Sequence, residues 1–221
     1  MGAPRGVVPF PAVGGPHVAA YNKNMKIRAM VMAFLLLAVT AFGQSPVKSG
    51  RAMGAAVAVI RIEVFSDFQC PHCKELYEKT LVPLVKDYVN TGRVYLVHRD
   101  YPLPQHPFAQ PAACYACAAD RIGKYEQVCD VLFREQESWS VTGKVDETVC
   151  SVLTPAEAKK VRALAKDPSI LAEIQKDMAL GNQARLGQTP TMFISYAGKT
   201  YPVAGSVSYP ILRRFLDNLP K

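Results

Sequence analysis

Cys70-Pro71-His72-Cys73 follows the apolar run Val57 to Phe65 and leads straight into Lys74-Glu75-Leu76-Tyr77, which puts two cysteines where a strand turns into a helix. At a helix N-terminus the first sulfur faces unpaired backbone N–H groups and the positive end of the helix dipole, both of which favour a thiolate. The spacing also brings the second sulfur within bonding reach, so the pair can cycle between dithiol and disulfide. Cys70 is then the attacking sulfur and Cys73 the resolving one. The alternative is half of a zinc site. A closed site needs a second ligand pair, and Cys114-x-x-Cys117, the sole candidate, reads as part of a helix.

The start of the chain bears on the compartment. Residues 1–24 are rich in Gly, Pro and Ala without periodicity, and read as an unstructured extension or an over-called start. From Met25 a secretory signal is expected over residues 25–43. Lys26 and Arg28 form its basic region, Ala29 to Phe42 its apolar core, and Ala41-Phe42-Gly43 a small-x-small cleavage site. The core of about 14 residues is short of the ~20 that span a bilayer, which favours cleavage after Gly43 over an uncleaved anchor. Cleavage removes Arg5, Lys23, Lys26 and Arg28 and no acid, so the formal charge falls from +8 to +4. That mild, dispersed balance, without a basic stripe interleaved with aromatics, argues against nucleic-acid binding. About 178 of the 221 residues remain, enough for one core with an insertion. Six cysteines in an exported chain imply an oxidising compartment.

Beyond a small, polar linker over residues 44–56, the β-branched run Val57 to Phe65 suits a buried central strand. A helix is expected from about Pro71 to Asn90, kinked at Pro83 and stopped by Thr91-Gly92. A second buried strand at Val94 to Val97 completes a parallel right-handed crossover. From Phe108 to about Val152 the sequence is helical and alanine-rich, broken near Gly123 and Gly143. Thr154-Pro155-Ala156-Glu157 and Asp167-Pro168-Ser169 open two further helices. The period then changes. Thr191 to Tyr196 and Lys199 to Val203 flank Ala197-Gly198 as a β-hairpin, and an amphipathic helix starts at Ser208. The class is α/β, in the order βαβ, helical block, ββα.

Four motifs carry a family resemblance: Phe65-Ser66-Asp67-Phe68-Gln69-Cys70-Pro71-His72-Cys73, Phe108-Ala109-Gln110-Pro111-Ala112-Ala113, Gly123-Lys124-Tyr125 with Leu132-Phe133, and Gln188-Thr189-Pro190-Thr191-Met192-Phe193-Ile194. Together they resemble the DsbA-like thiol:disulfide oxidoreductases of the thioredoxin superfamily, over roughly Val57 to Leu219. The resemblance implies a thioredoxin fold over residues 57–107 and 187–221 with a helical insertion at 108–186. It implies a periplasmic enzyme that exchanges disulfides with folding proteins, is reset by a membrane redox partner, and uses no cofactor or metal. It also implies a cis Thr189–Pro190 bond facing the dithiol and offering backbone hydrogen bonds to a bound peptide. In one respect the chain departs from the wider superfamily. Many members bury an acid six residues before the first cysteine to take the resolving proton, and here that position is Val64. Glu63, which alternation places on the opposite strand face, and Asp67 are the nearest acids.

His72, between the cysteines with Pro71, is expected to stabilise the Cys70 thiolate through its ring and so make the disulfide more oxidising. His98 reads as a core histidine and His106 as a loop or capping residue. Cys114, Cys117, Cys129 and Cys150 are expected to form structural disulfides in one of three pairings, or, for Cys114 and Cys117, a second redox relay. The leading function is thus an exported oxidant of protein thiols. A reductase or isomerase, and a metal-binding protein using Cys70, His72 and Cys73, are the alternatives.

Overall fold

The structure, a computed structural model, describes residues 49–220. The extension and signal expected over 1–43 lie outside these residues, as does the first part of the linker. Among the described residues no helix is long and apolar enough to cross a membrane.

Five strands form one sheet in the order β1-β3-β2-β4-β5: β1 (Ala52–Met53), β2 (Ile60–Ser66), β3 (Val94–Asp100), β4 (Thr191–Tyr196) and β5 (Lys199–Ala204). The β2–β3 pair is parallel and the others antiparallel. In β2, Ile60, Ile62 and Val64 are completely buried on one face, so the alternation seen in sequence is that of a half-core strand with a polar reverse side. Ala197 (φ 48°) and Gly198 (φ 75°) supply the two left-handed positions that a tight β4–β5 turn requires.

After β2 come α1 (Pro71–Leu76) and α2 (Val82–Leu84), with wider π-type turns at Tyr77–Leu81 and Val85–Val89. One α-helix kinked at Pro83 was the expectation. The chain instead stays helical through the proline, and the turns on either side widen around the residue that cannot donate an N–H. The insertion consists of α3 (Ala109–Asp120), α4 (Tyr125–Arg134), α5 (Gln136–Thr142), α6 (Val145–Cys150), α7 (Pro155–Leu164) and α8 (Pro168–Gln183). Thr154 and Glu157 cap α7 reciprocally, and the Asp167 carboxylate accepts from the Ser169 N–H at 2.8 Å to open α8. Helix α9 (Tyr209–Asp217) closes the fold.

Two apolar cores result. One lies between the sheet and the α1–α2 run with α9, around Ile60, Ile62, Leu84, Leu96, Met192 and Leu216. The other fills the insertion around Trp139, Phe133, Val149 and Ile174 and takes in Phe68 and Cys73. Tyr77 packs against both.

Residues 49–53, expected within the linker, are held to the fold. Ser49 Oγ and the Gly50 N–H donate to the Asp120 carboxylate, and Ala52 and Met53 pair with Val97 and Leu96. The Arg51 guanidinium is buried on Asp100 at 2.8 Å, with Asp177 and Glu173 also bound. A charge with three acidic partners tolerates burial that a lone one would not. The exposed residues are instead Ala56, Val57 and Val59, and β2 starts only at Ile60.

Candidate active site

Three segments meet at the C-terminal end of β2. Parallel pairing of Ser66 with Asp100 delivers the loop after β3, antiparallel pairing of Phe65 with Thr191 delivers residues 188–190, and β2 itself runs into the dithiol turn. Cys70 caps α1 with extended backbone (φ −79°, ψ 122°), Pro71 occupies the first helical position, and Cys70 O accepts the Cys73 and Lys74 N–H groups at 3.0 and 3.2 Å. Both sulfurs belong to buried residues.

The turn sets the two thiols apart. Cys70 is pulled down to about 5, first by the hydrogen bond from the Cys73 thiol, against the opposing effect of burial, with the Cys73 backbone N–H, the Thr189 side chain and the His72 backbone N–H adding to it. Cys73 is pushed well up, by burial and then by its neighbour. Cys70 Sγ also lies 3.5 Å from Thr189 O. The Thr189–Pro190 bond is cis, and the buried Thr189 hydroxyl has no fixed partner, which leaves it free to turn to the sulfur. Gly205 N–H holds the Pro190 carbonyl at 2.8 Å.

The His72 ring, expected at the Cys70 thiolate, is turned away from it in the structure. Its side chain is 75% exposed and its Nδ1 sits 4.0 Å from Glu75 Oε2. What reaches Cys70 is the His72 backbone N–H. The ring points outward because a residue in the first turn of a helix packed on its other side faces water.

Asp67 is the buried acid beside the pair. Its Oδ1 accepts from the Gln69 N–H at 2.7 Å, and its Oδ2 from the Leu103 N–H at 2.8 Å and faces His106 Nδ1 at 2.7 Å, while its own N–H points at Cys73 Sγ, 3.4 Å away. His106, expected merely in a loop, thereby joins the site. Glu63 stays on the other strand face, where Arg99 at 2.7 Å and Arg61 at 3.1 Å hold its carboxyl below the usual range despite burial. His98 is buried, stacks edge-on to Tyr125 and is pushed down to about 4 by burial and by Arg51. Two glutamines escaped the sequence reading. Gln136, at the start of α5, donates from Nε2 to Phe68 O at 2.6 Å and Cys70 O at 3.1 Å. Gln69 bridges the Phe108 N–H and Ser140 O at 2.8 and 3.2 Å. Nothing in Arg134-Glu135-Gln136-Glu137 marks the third residue, since only the tertiary fold turns it inward.

All six cysteines stand as thiols in the structure, Cys70 and Cys73 included, and none of the expected pairings among Cys114, Cys117, Cys129 and Cys150 is formed in it. Each insertion sulfur has its own surroundings. Cys117 donates to Asp100 Oδ2 at 3.2 Å, Cys150 lies 3.6 Å from Asp146 Oδ1, Cys129 is enclosed near Tyr77 and Tyr125, and Cys114 is half-buried. Burial, the largest influence on each, raises all four thiols. Among the described residues no three His, Cys, Asp or Glu side chains converge as metal ligands.

A cysteine pair at the first turn of a helix, opposed by a cis-proline and backed by a sheet built from βαβ and ββα units, defines a thioredoxin-fold dithiol protein. The thioredoxin family model matches residues 47–218, and the chain belongs to that family. The solved structure of Wolbachia pipientis alpha-DsbA1 superposes with a TM-score of 0.63 at 19% identity, covering 76% of this chain and 89% of that one. A thioredoxin-like oxidoreductase from Silicibacter pomeroyi DSS-3 gives 0.62 at 25% identity, covering 75% and 89%. The fold is therefore that of the DsbA proteins, with the helical region inserted in the thioredoxin sheet. In sequence, the "Putative protein-disulfide oxidoreductase" of Rickettsia bellii is 25% identical over 143 residues, which are 62% of this chain and 53% of that protein. The chain thus spans about half the length of the curated relatives it matches.

Proposed function

We propose that this chain is an exported thiol:disulfide oxidoreductase that passes the Cys70–Cys73 disulfide to thiols of folding proteins. The observation that carries it is the split between the two sulfurs, Cys70 held down to about 5 and Cys73 pushed up. A substrate thiolate attacks Cys70 Sγ, and Cys73 leaves with the electron pair of the broken S–S bond. A second substrate thiolate then attacks the substrate sulfur of the mixed disulfide. Cys70 departs as a thiolate, and the protein is left as the dithiol with the substrate oxidised by two electrons. A thiolate that is stable near pH 5 is a good leaving group and stabilises the reduced protein, so the oxidised form is a strong oxidant. Thr189 and Pro190, across from Cys70, would line the substrate peptide. The names of the Rickettsia and Silicibacter relatives support the same chemistry. Export rests on the basic, apolar and small-x-small pattern of residues 25–43, and a membrane partner would return the dithiol to the disulfide.

Equilibrating the protein with glutathione redox buffers tests the direction. An equilibrium constant that places Cys70–Cys73 well on the oxidising side of thioredoxin-type dithiols is expected. A potential at or below the thioredoxin value makes the protein a reductase instead.

A further inference from the structure

The reaction has two leaving sulfurs, and they sit in different surroundings. Cys70 leaves into the helix N-terminus. Cys73 leaves into a buried pocket where the one backbone N–H within hydrogen-bond distance of its sulfur is that of Asp67, at 3.4 Å, with the Ser66 side chain close by. The aim of that N–H depends on how residue 67 is held. The buried Asp67 carboxylate ties the turn inward to the Gln69 N–H and outward to the loop after β3, through the Leu103 N–H and His106 Nδ1. His106 is itself fixed. Its N–H donates to Leu103 O at 3.0 Å and its carbonyl accepts the Ala109 N–H that opens α3. A chain of contacts thus runs from the insertion through His106 and Asp67 to the resolving sulfur, and His106 is its one side-chain donor to the carboxylate.

Resting on the reading of Cys70–Cys73 as an exchanging disulfide, we propose that His106 is a positioning residue that, through Asp67, aims the Asp67 N–H at Cys73 as this sulfur departs. In that step the substrate S–Cys70 bond forms, the Cys70–Cys73 bond breaks, and its electron pair comes to rest on Cys73 Sγ. The Asp67 N–H stabilises this charge until the sulfur takes a proton from water. The disulfide is the oxidant and the substrate thiolate the reductant, so no further redox partner enters. Preorganised donors aimed at developing charge act in the transition state. An N–H···S bond that is strong only for the thiolate belongs to that class. This assigns Asp67 a different part from the superfamily acid missing at Val64, because its carboxylate is occupied by other donors and its backbone does the work at sulfur.

The test uses the full chain with reduced glutathione as the probe thiol. Opening of the oxidised protein, in which Cys73 leaves, is followed by rapid mixing. Opening of a Cys70–glutathione mixed disulfide by excess glutathione, in which Cys70 leaves, is followed in a Cys73→Ala background. His106→Ala should slow the first reaction about five- to tenfold, the worth of one lost hydrogen bond, and leave the second and the Cys70 thiolate titration unchanged. His106→Asn, whose amide places an N–H near the Nδ1 position, should recover most of the rate. Equal slowing of both reactions, no slowing of the first, or an Asn variant as slow as the Ala variant overturns the positioning role. Failure of the wild-type disulfide to react with glutathione at all would overturn the oxidoreductase reading instead.

Discussion

Cys70-x-x-Cys73 and Cys114-x-x-Cys117 have the same spacing on helices and opposite chemistry. The first pair begins a helix, so the N–H groups of His72 and Cys73 face the Cys70 sulfur, the Cys73 N–H while also donating to Cys70 O. The second lies mid-way along α3, where the backbone N–H groups are taken by carbonyls one turn back. The first faces a cis-proline segment and draws one thiol down to about 5, whereas the second faces the buried Asp100 carboxyl, which together with burial drives both thiols up. Spacing brings sulfurs together. Position along the helix, and the sign of the nearest charge, decide whether a thiolate can exist there.

The largest effect expected from this contrast is on exchange itself. Cys70→Ala should abolish disulfide transfer to a reduced, unfolded protein, and Cys73→Ala should trap mixed disulfides visible on non-reducing gels. Cys117→Ala should leave transfer intact and cost about 1–2 kcal/mol of stability, because the buried Asp100 loses one donor. Alkylation in the folded, reduced protein should follow Cys70 with a midpoint near pH 5, the position of its thiolate, and spare Cys117. Rapid labelling of Cys117, or transfer surviving in Cys70→Ala, would mean that the second pair is a relay.

A second expectation concerns what holds the inert pair inert. Asp100 is pushed up to about 6, by burial first, with Arg51 opposing it. Arg51 also binds Asp177 and Glu173, and its own Nε is buried without a partner. Arg51→Met leaves the buried Asp100 without a cation, while Asp177 keeps Arg99 at 2.9 Å, and should cost about 3–5 kcal/mol, read from the urea midpoint. The loss should be smaller at acid pH. Once the freed Asp100 carboxyl carries a proton, no uncompensated charge stays buried there. An Arg51→Met variant with wild-type stability at pH 7 would show that residues 49–53 contribute only as a strand edge.

Much of this was legible in the sequence where local chemistry and global position agree. The strand-to-helix dithiol, the Thr154–Glu157 cap and the Ala197-Gly198 turn each declare themselves within a few residues. Thr189–Pro190 needed the family resemblance, since an isolated X-Pro bond gives no sign of its isomer. Arg51, His106 and Gln136 were illegible for a common reason. Each is a polar residue in an unremarkable local pattern whose partner lies 39 to 126 positions away. The pairing of the insertion cysteines was not legible, because an even count in an exported chain suggests bridges without saying which sulfurs the helices bring together; in the structure Cys117 sits on Asp100 and Cys150 on Asp146.

The smallest effect expected is at His72, and it separates side chain from backbone at the active pair. Charged, the ring would sit beside Glu75 in water, 4.0 Å from its carboxylate, a surface pair of the kind worth at most about 1 kcal/mol. The groups acting on Cys70 are the Cys73 thiol, backbone N–H groups and Thr189. His72→Leu keeps every one of them. The Cys70 thiolate titration, followed by ultraviolet absorbance, should therefore move by less than about half a pH unit, the scale of such surface pairs, and the glutathione equilibrium by a correspondingly small factor. A rise of a unit or more would show that the ring turns in toward sulfur when the disulfide opens, and would return to the side chain a role that the folded geometry gives to its backbone.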